Sequence, residues 1–344
     1  MIKAGIIGAS GYAGAEVVRL LLNHDEVEIV AISSHSYLGQ TFSSLYPSFY
    51  TVFDMEFIKD SEVIELSDVV FASLPAGLSE KYAFECAQSG KKFIDLGADF
   101  RLDKEEDYKL WYGNEYQEKE LHEKQVYGLT EVNREKIRKA SIIGNPGCYP
   151  TSVTLGLYPL LKEKLNSSSH IMIDSKSGTT GAGKGLSDNT HFSKCNESFH
   201  PYKVATHRHT PEIEQELSKM AGESISVTFV PHLLPVNRGI ISTIYVPIKE
   251  GIDENDIDQI YHKYYDDEYF VRVLPKGSIA DLKYVQYSNF CDISLHFDKR
   301  TNTLVIVSTI DNMVKGAAGQ AIQNMNLMFN IEETKGLKGN GPSF

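Results

Sequence analysis

The chain has 344 residues, 42% apolar and 23% charged, with a formal net charge of -12. That composition belongs to a globular protein long enough for two domains, and the negative balance excludes a chain built to neutralise nucleic-acid phosphate. No apolar run approaches the roughly 20 residues that cross a bilayer, and Cys86, Cys148, Cys195 and Cys291 lack the spacing of a zinc site or a disulfide framework.

The opening MIKAGIIGASGYAG carries glycine and serine where a secretory leader would carry its apolar core, so a cytoplasmic protein is expected. Ile2 to Gly8 reads as a strand, Ala15 to Asn23 as a helix with a broad apolar face, and Val27 to Ser33 as a second strand. Further buried-type strands at Val69 to Leu74 and Lys92 to Leu96 flank a helix at Leu78 to Ser89. This alternation predicts a parallel sheet covered by helices. The texture changes after Cys148. A helix over Thr151 to Leu161 is followed by strands at Ile171 to Ser175, Ser224 to Leu234, Ile240 to Pro247, Tyr269 to Leu274, Cys291 to Asp298 and Thr303 to Thr309. With sparser helices at Pro211 to Lys219 and Asn255 to Tyr265, that half reads as an antiparallel α+β domain. Met313 to Asn330 returns to helix. The fold class is α/β: a Rossmann-type domain plus an α+β domain.

Gly8, Gly11 and Gly14 fall between the first strand and the first helix. A glycine loop there lets backbone N–H groups approach a pyrophosphate at a helix N-terminus, so Gly8, Ser10, Gly11, Tyr12, Ala13 and Gly14 are candidate dinucleotide contacts. NAD-binding chains usually end the second strand on Asp or Glu, which bonds the ribose 2′-hydroxyl. This chain has Ser33, Ser34 and His35, which suit a 2′-phosphate, so NADP is the expected cofactor.

Cys148 lies in GNPGCYPT, residues 144–151, just ahead of a helix. A helix N-terminus favours thiolate, and its free N–H groups can hold an oxyanion. His207 and His209 flank Arg208 in THRHTPE and are the candidate acid–base pair. As a metal site the pair lacks a third ligand, so no metal is expected. An anionic substrate needs fixed positive charge, for which Arg208, Arg238, Lys184 and Arg101 are candidates. Asp99 close to Arg101 makes a structural role for that arginine equally reasonable.

Eight blocks in order carry a resemblance: residues 8–14 (GASGYAG), 95–102 (DLGADFRL), 127–131 (YGLTE), 144–151, 177–184 (SGTTGAGK), 207–213, 229–239 (FVPHLLPVNRG) and 311–325 (DNMVKGAAGQAIQNM). Together they resemble the long-form N-acetyl-gamma-glutamyl-phosphate reductase family, related to aspartate-semialdehyde dehydrogenase and, more distantly, glyceraldehyde-3-phosphate dehydrogenase. The resemblance implies a Rossmann domain (1–147 and 313–344) and a mixed-sheet catalytic and oligomerisation domain (148–312). It implies Cys148 as nucleophile, His207 and His209 for acid–base work and substrate contact, and Asn312 and Lys315 beside the nicotinamide. It adds Leu74, Pro75, Ser177, Gly178 and Gly181 on the cofactor side and Asn145 on the substrate side. Ala76 and Gly97 depart from the family's usual His and Ser. The implied reaction is NADPH-dependent reduction of an acyl phosphate through a cysteine thioester, in a homodimer or homotetramer. A related acyl-phosphate reductase (aspartate-semialdehyde dehydrogenase, or an amino-adipyl phosphate reductase of lysine synthesis) and a non-catalytic NADP sensor are the alternative readings.

Overall fold

The computed structural model describes residues 1–342. The described residues divide into two compact units, Met1–Pro146 with Ala317–Lys338, and Gly147–Gly316 with residues 339–342. The segment after Lys338, which the sequence reading grouped with the first unit, belongs to the second, where Gly341 lies close against the Gln286 carbonyl.

The first unit is built on strands β1 (Ile2–Ile7), β2 (Val27–Ser33), β3 (Phe57–Ile58), β4 (Val69–Ala72), β5 (Lys92–Asp95), β6 (Val126–Tyr127) and β7 (Ile142–Gly144). They form one sheet in the order β3-β2-β1-β4-β5-β7-β6, with every pairing parallel. Parallel strands with helices over both faces must be apolar throughout, as in VVFA of β4, where all four residues are buried. Strand order reverses direction across β1 and β4, so their carboxyl ends open the crevice where such sheets take ligands. The loops leaving β1, β2, β4 and β5 carry residues 8–14, 33–35, 74–79 and 96–101.

The second unit contains β8 (His170–Ser177), β9 (His200–Pro201), β10 (Ser226–Leu233), β11 (Ile240–Pro247), β12 (Val271–Val273), β13 (Cys291–Asp298) and β14 (Thr303–Ile310). Their order is β12-β13-β14-β11-β8-β10-β9. The antiparallel reading from periodicity is corrected here: β8 with β10 and β12 with β13 pair in parallel, so the sheet is mixed. The physical reason is the connection from β8 to β10, which includes the helix Thr210–Ala221 and is long enough for a parallel crossover. One sheet face is covered by the helix Cys148–Lys162, which lies on β11 and β14 and is itself flanked by the helices Thr210–Ala221 and Glu254–Tyr265. From Tyr149 to Leu161 that helix is buried almost throughout. Tyr261 and Tyr265 donate their hydroxyls to its Gly156 and Leu155 carbonyls at 2.6 and 2.5 Å. Ser152 Oγ lies 3.2 Å from the Ser308 carbonyl oxygen and 3.0 Å from Ser242 Oγ, either of which can accept its proton. The element bearing the candidate nucleophile is thus fixed on all sides.

Candidate functional site

In the first unit, the helix Tyr12–Leu21 follows the glycine loop with Gly11 as its N-cap. Gly8 has φ +79, and a Cβ there would meet the Ser73 carbonyl oxygen at 2.3 Å. A Cβ at Gly14 would meet the Gly8 oxygen at 2.5 Å. Only glycine lets the strand end, the loop and the helix close up this tightly. The first-turn N–H groups of Tyr12 and Ala13 have no partner within the helix by geometry, so the loop is a cradle that fits a pyrophosphate. Tyr46 donates its hydroxyl to the Ser10 carbonyl at 2.8 Å, and Ser10 Oγ meets Ser34 Oγ at 2.7 Å. These bonds lock the loop to the end of β2.

The end of β2 differs from the sequence reading in one respect. Ser33 is fully buried, and its hydroxyl donates to Asp60 Oδ1 at 2.5 Å. A carboxylate therefore does stand at this strand end, supplied by the first residue of the helix Asp60–Leu66. Pairing of β3 with β2 (Ser33 opposite Ile58) brings it there, a contact that local sequence does not reveal.

Leu74 is half-buried and Pro75 exposed in the loop after β4. Beneath that loop are two fully buried carboxylates. Asp99 accepts the N–H groups of Gly77 and Ser79 at 2.7 and 2.8 Å and the Tyr108 hydroxyl at 2.7 Å. Asp95 accepts from Ser79 Oγ, Gly97 N–H and Asp99 N–H at 2.7, 2.9 and 3.1 Å. Burial first, and Asp99 second, push the Asp95 carboxyl up. Arg101 donates Nε to the Asn145 carbonyl at 2.8 Å and a terminal nitrogen to the Leu96 carbonyl at 2.9 Å. Asn145 in turn donates to the Ala317 carbonyl at 3.1 Å and accepts from Asn324 Nδ2 at 3.1 Å. The structure places Arg101 and Asn145 as braces of the backbone leading to Cys148.

In the second unit, Cys148 is itself the first residue of its helix, with Gly147 as an extended N-cap. The helix starts three residues earlier than periodicity indicated, because Pro150 is compatible with the first turn. A Cβ at Gly316 would come within 2.8 Å of Cys148 Cβ, so glycine there leaves the thiol its room. The Gly147 N–H donates to Glu212 Oε1 at 2.8 Å, and Glu212 is fully buried. Glu212 was absent from the sequence candidates, although its place one turn after His209 was the available signal.

Tyr149 carries the connection to the histidines. Its ring packs edge-on against His207 at 5.5 Å, His209 at 5.9 Å and Phe229 at 5.2 Å. The two imidazoles are 4.9 Å apart. His207 is buried, and its Nδ1 accepts the His209 main-chain N–H at 3.1 Å. The ring proton then sits on Nε2. Burial chiefly, then Lys203 and Arg208, push His207 down to about 4, so it is neutral near neutrality. His209 is half-buried at the N-cap of its helix, and Arg208 is exposed.

Residues 177–183 zip to the turn after β10. Gly178, Thr179 and Thr180 donate their N–H groups to the carbonyls of Gly239, Val236 and Asn237 at 2.9, 2.9 and 3.1 Å. Asn312 joins the two, accepting Gly239 N–H at 2.7 Å and donating to Thr180 Oγ1 at 3.0 Å. Ser177 is buried and bonds the Gly178 carbonyl, while Gly181 and Lys184 are exposed. The Arg238 guanidinium lies 3.4 Å from Asp311 Oδ2 and 4.7 Å from the Tyr287 ring. Lys315 is fully buried, its ammonium 5.7 Å from the Phe270 ring. It lies in a single wide turn, Val314–Ala318, that precedes the helix Gly319–Met328. Such π-type turns recur at functional sites.

A glycine cradle on a parallel sheet, and a cysteine that starts a helix in the unit that also holds the paired histidines, point to a dehydrogenase with a dinucleotide-binding domain. The chain belongs to the semialdehyde dehydrogenase family: residues 3–140 match its NAD binding domain and residues 148–312 its dimerisation domain. Over all of both chains it is 56% identical to the N-acetyl-gamma-glutamyl-phosphate reductase of Brachyspira hyodysenteriae and 55% identical to that of Clostridium botulinum. The family expected from the eight sequence blocks is therefore the one found. Among solved structures, aspartate semialdehyde dehydrogenase II of Vibrio cholerae shares the fold at a TM-score of 0.73 and 18% identity, covering 96% of this chain and 98% of that one. Among the described residues no helix is long and apolar enough to cross a membrane.

Proposed function

We propose that this protein is an oxidoreductase that reduces N-acetyl-gamma-glutamyl phosphate to N-acetylglutamate semialdehyde, releasing phosphate, with NADPH as reductant. The carrying observation is full-length similarity to reductases of that name, in a chain with Cys148 at a helix start whose next residue, Tyr149, packs against His207 and His209.

The Cys148 thiolate attacks the acyl carbon, the carbon–oxygen bond to phosphate breaks, and a thioester forms. The helix N-terminus supports the thiolate, and its N–H groups face the oxyanion. NADPH, when bound at the glycine loop, supplies hydride to the thioester carbon. His209 gives a proton to the substrate oxygen as charge develops and recovers it as the carbon–sulfur bond breaks to release aldehyde. Neutral His207 donates from Nε2 and orients the substrate, because a group titrating near 4 is a poor base at neutral pH. Arg238 and Arg208 hold the anionic ends, with Lys184 on the same loop system.

The working form is a homodimer, or a tetramer made of two. The uncovered face of the second sheet supports this. Thr228, Met172, Tyr245 and Val305 form one row across it, and Val230, Asp174 and Thr243 the next. Steady-state assay tests the reaction: N-acetylglutamate semialdehyde should sustain NADP reduction beyond one turnover only when phosphate is present. Faster turnover with aspartate semialdehyde would transfer the chain to the aspartate branch.

A further inference from the structure

We propose that Asp60 sets the choice between NADP and NAD, which rests on the dinucleotide role assigned above to the glycine-loop unit. A carboxylate at the end of the second strand of such a fold bonds the ribose hydroxyls of NAD and repels a 2′-phosphate. Asp60 reaches that position from a neighbouring helix, and its oxygens are already engaged. Oδ1 accepts from Ser33 at 2.5 Å, and Oδ2 accepts from the Tyr82 hydroxyl. His35, at 86% side-chain exposure, holds Nε2 3.5 Å from Oδ2, whereas the Asp60 side chain is only 18% exposed. Burial, and then Asp60 itself, keep the Tyr82 phenol protonated far above the ordinary range, so it is a permanent donor. Each oxygen of this carboxylate already takes a hydroxyl, and an imidazole stands in front, so a ribose 2′-hydroxyl must compete with donors of the protein. Its charge is spread over protein donors before it meets a phosphate. Ser33 is thus a positioning residue that occupies Asp60 rather than a direct cofactor contact.

Calorimetric titration of the full-length protein with NADP and with NAD tests this without reference to turnover. Wild type, Ser33→Ala, Tyr82→Phe and Asp60→Asn are compared, with circular dichroism confirming the fold. The ratio of the NAD to the NADP dissociation constant should fall about tenfold in Tyr82→Phe and Ser33→Ala, where a charge-assisted bond to the carboxylate is released. It should rise in Asp60→Asn. A merely structural Asp60 would weaken both dinucleotides together, and an unmoved ratio would overturn the proposal. Should Asp60→Asn fail to fold, the ratio in Ser33→Ala, a small change at a buried site, decides the matter. Wild type binding neither dinucleotide would sink the cofactor assignment too, whereas binding with unmoved ratios would sink only the role of Asp60.

Discussion

His207 illustrates how one side chain's surroundings assign its part in the reaction. Sequence spacing left His207 and His209 interchangeable, because both imidazoles lie on the same short segment. Their burial and bonding separate them: His207 is enclosed by Tyr149, Tyr202 and Phe229, and its Nδ1 is occupied by a backbone N–H. Its value lies below the ordinary 6.5, so the neutral form stabilises the fold. That stability is complete above about pH 6.5 and is lost as pH falls toward about 4. At 1.36 kcal/mol per pH unit the effect is on the order of 3 kcal/mol. Thermal melts from pH 7 to pH 4 should show wild type losing more stability than His207→Gln. Parallel curves would mean that His207 is not held neutral. In the semialdehyde-oxidising direction, where His209 starts as the base, the acid limb of kcat should persist in His207→Gln and disappear in His209→Gln.

At the scale of elements, the anion-binding side proposed above is built from loops and helix ends rather than from single residues. Arg238 was singled out from the Pro-Val-Asn-Arg-Gly turn, whereas the neighbours that hold it were not legible there. Asp311 and Tyr287 come from distant segments and fix the guanidinium by charge and by ring contact. Arg238→Lys keeps the charge but loses the planar fork and the stacking. Loss of a charge-assisted bond pair costs about 1.5–3 kcal/mol. The apparent affinity for phosphate and semialdehyde should therefore fall tenfold or more, with NADP binding unchanged. Near-normal affinity for both would show that the anion is held elsewhere. The elements themselves were legible where periodicity is local: β1, β2, the first helix and the cysteine loop lie close to their expected places. Short strands such as β3 and β6 were missed, since two residues carry no period. So were Asp60, Glu212 and the Asp95–Asp99 pair as structural supports, because each has a partner 16 or more residues away, such as Ser79 for Asp95 and Asp99, Ser33 and Tyr82 for Asp60, and Gly147 for Glu212.

At the scale of the whole molecule there are two cores: one parallel sheet carries the glycine cradle, and one mixed sheet supports the helix that begins at Cys148. The second sheet is protected on one face by helices, while the other keeps half-exposed apolar side chains around an Asp174–Lys176–His232 ion cluster. Met172, half-exposed near the middle of that face, is a sensitive probe. Met172→Lys should halve the sedimenting mass while leaving the circular dichroism of the chain intact, since only the contact between copies is charged. An unchanged mass would place the subunit contact on another surface.

The central claim is covalent: substrate carbon becomes bonded to Cys148. Incubating the protein with N-acetylglutamate semialdehyde and NADP, without phosphate, should let acyl transfer to sulfur accumulate because the deacylating anion is missing. Peptide mass mapping after acid quench should then find one N-acetylglutamyl group on the peptide containing Cys148. The same treatment of Cys148→Ser should give none, while Cys86→Ser should be acylated like wild type. An adduct on another residue, or full phosphate-dependent turnover in Cys148→Ser, would contradict the account.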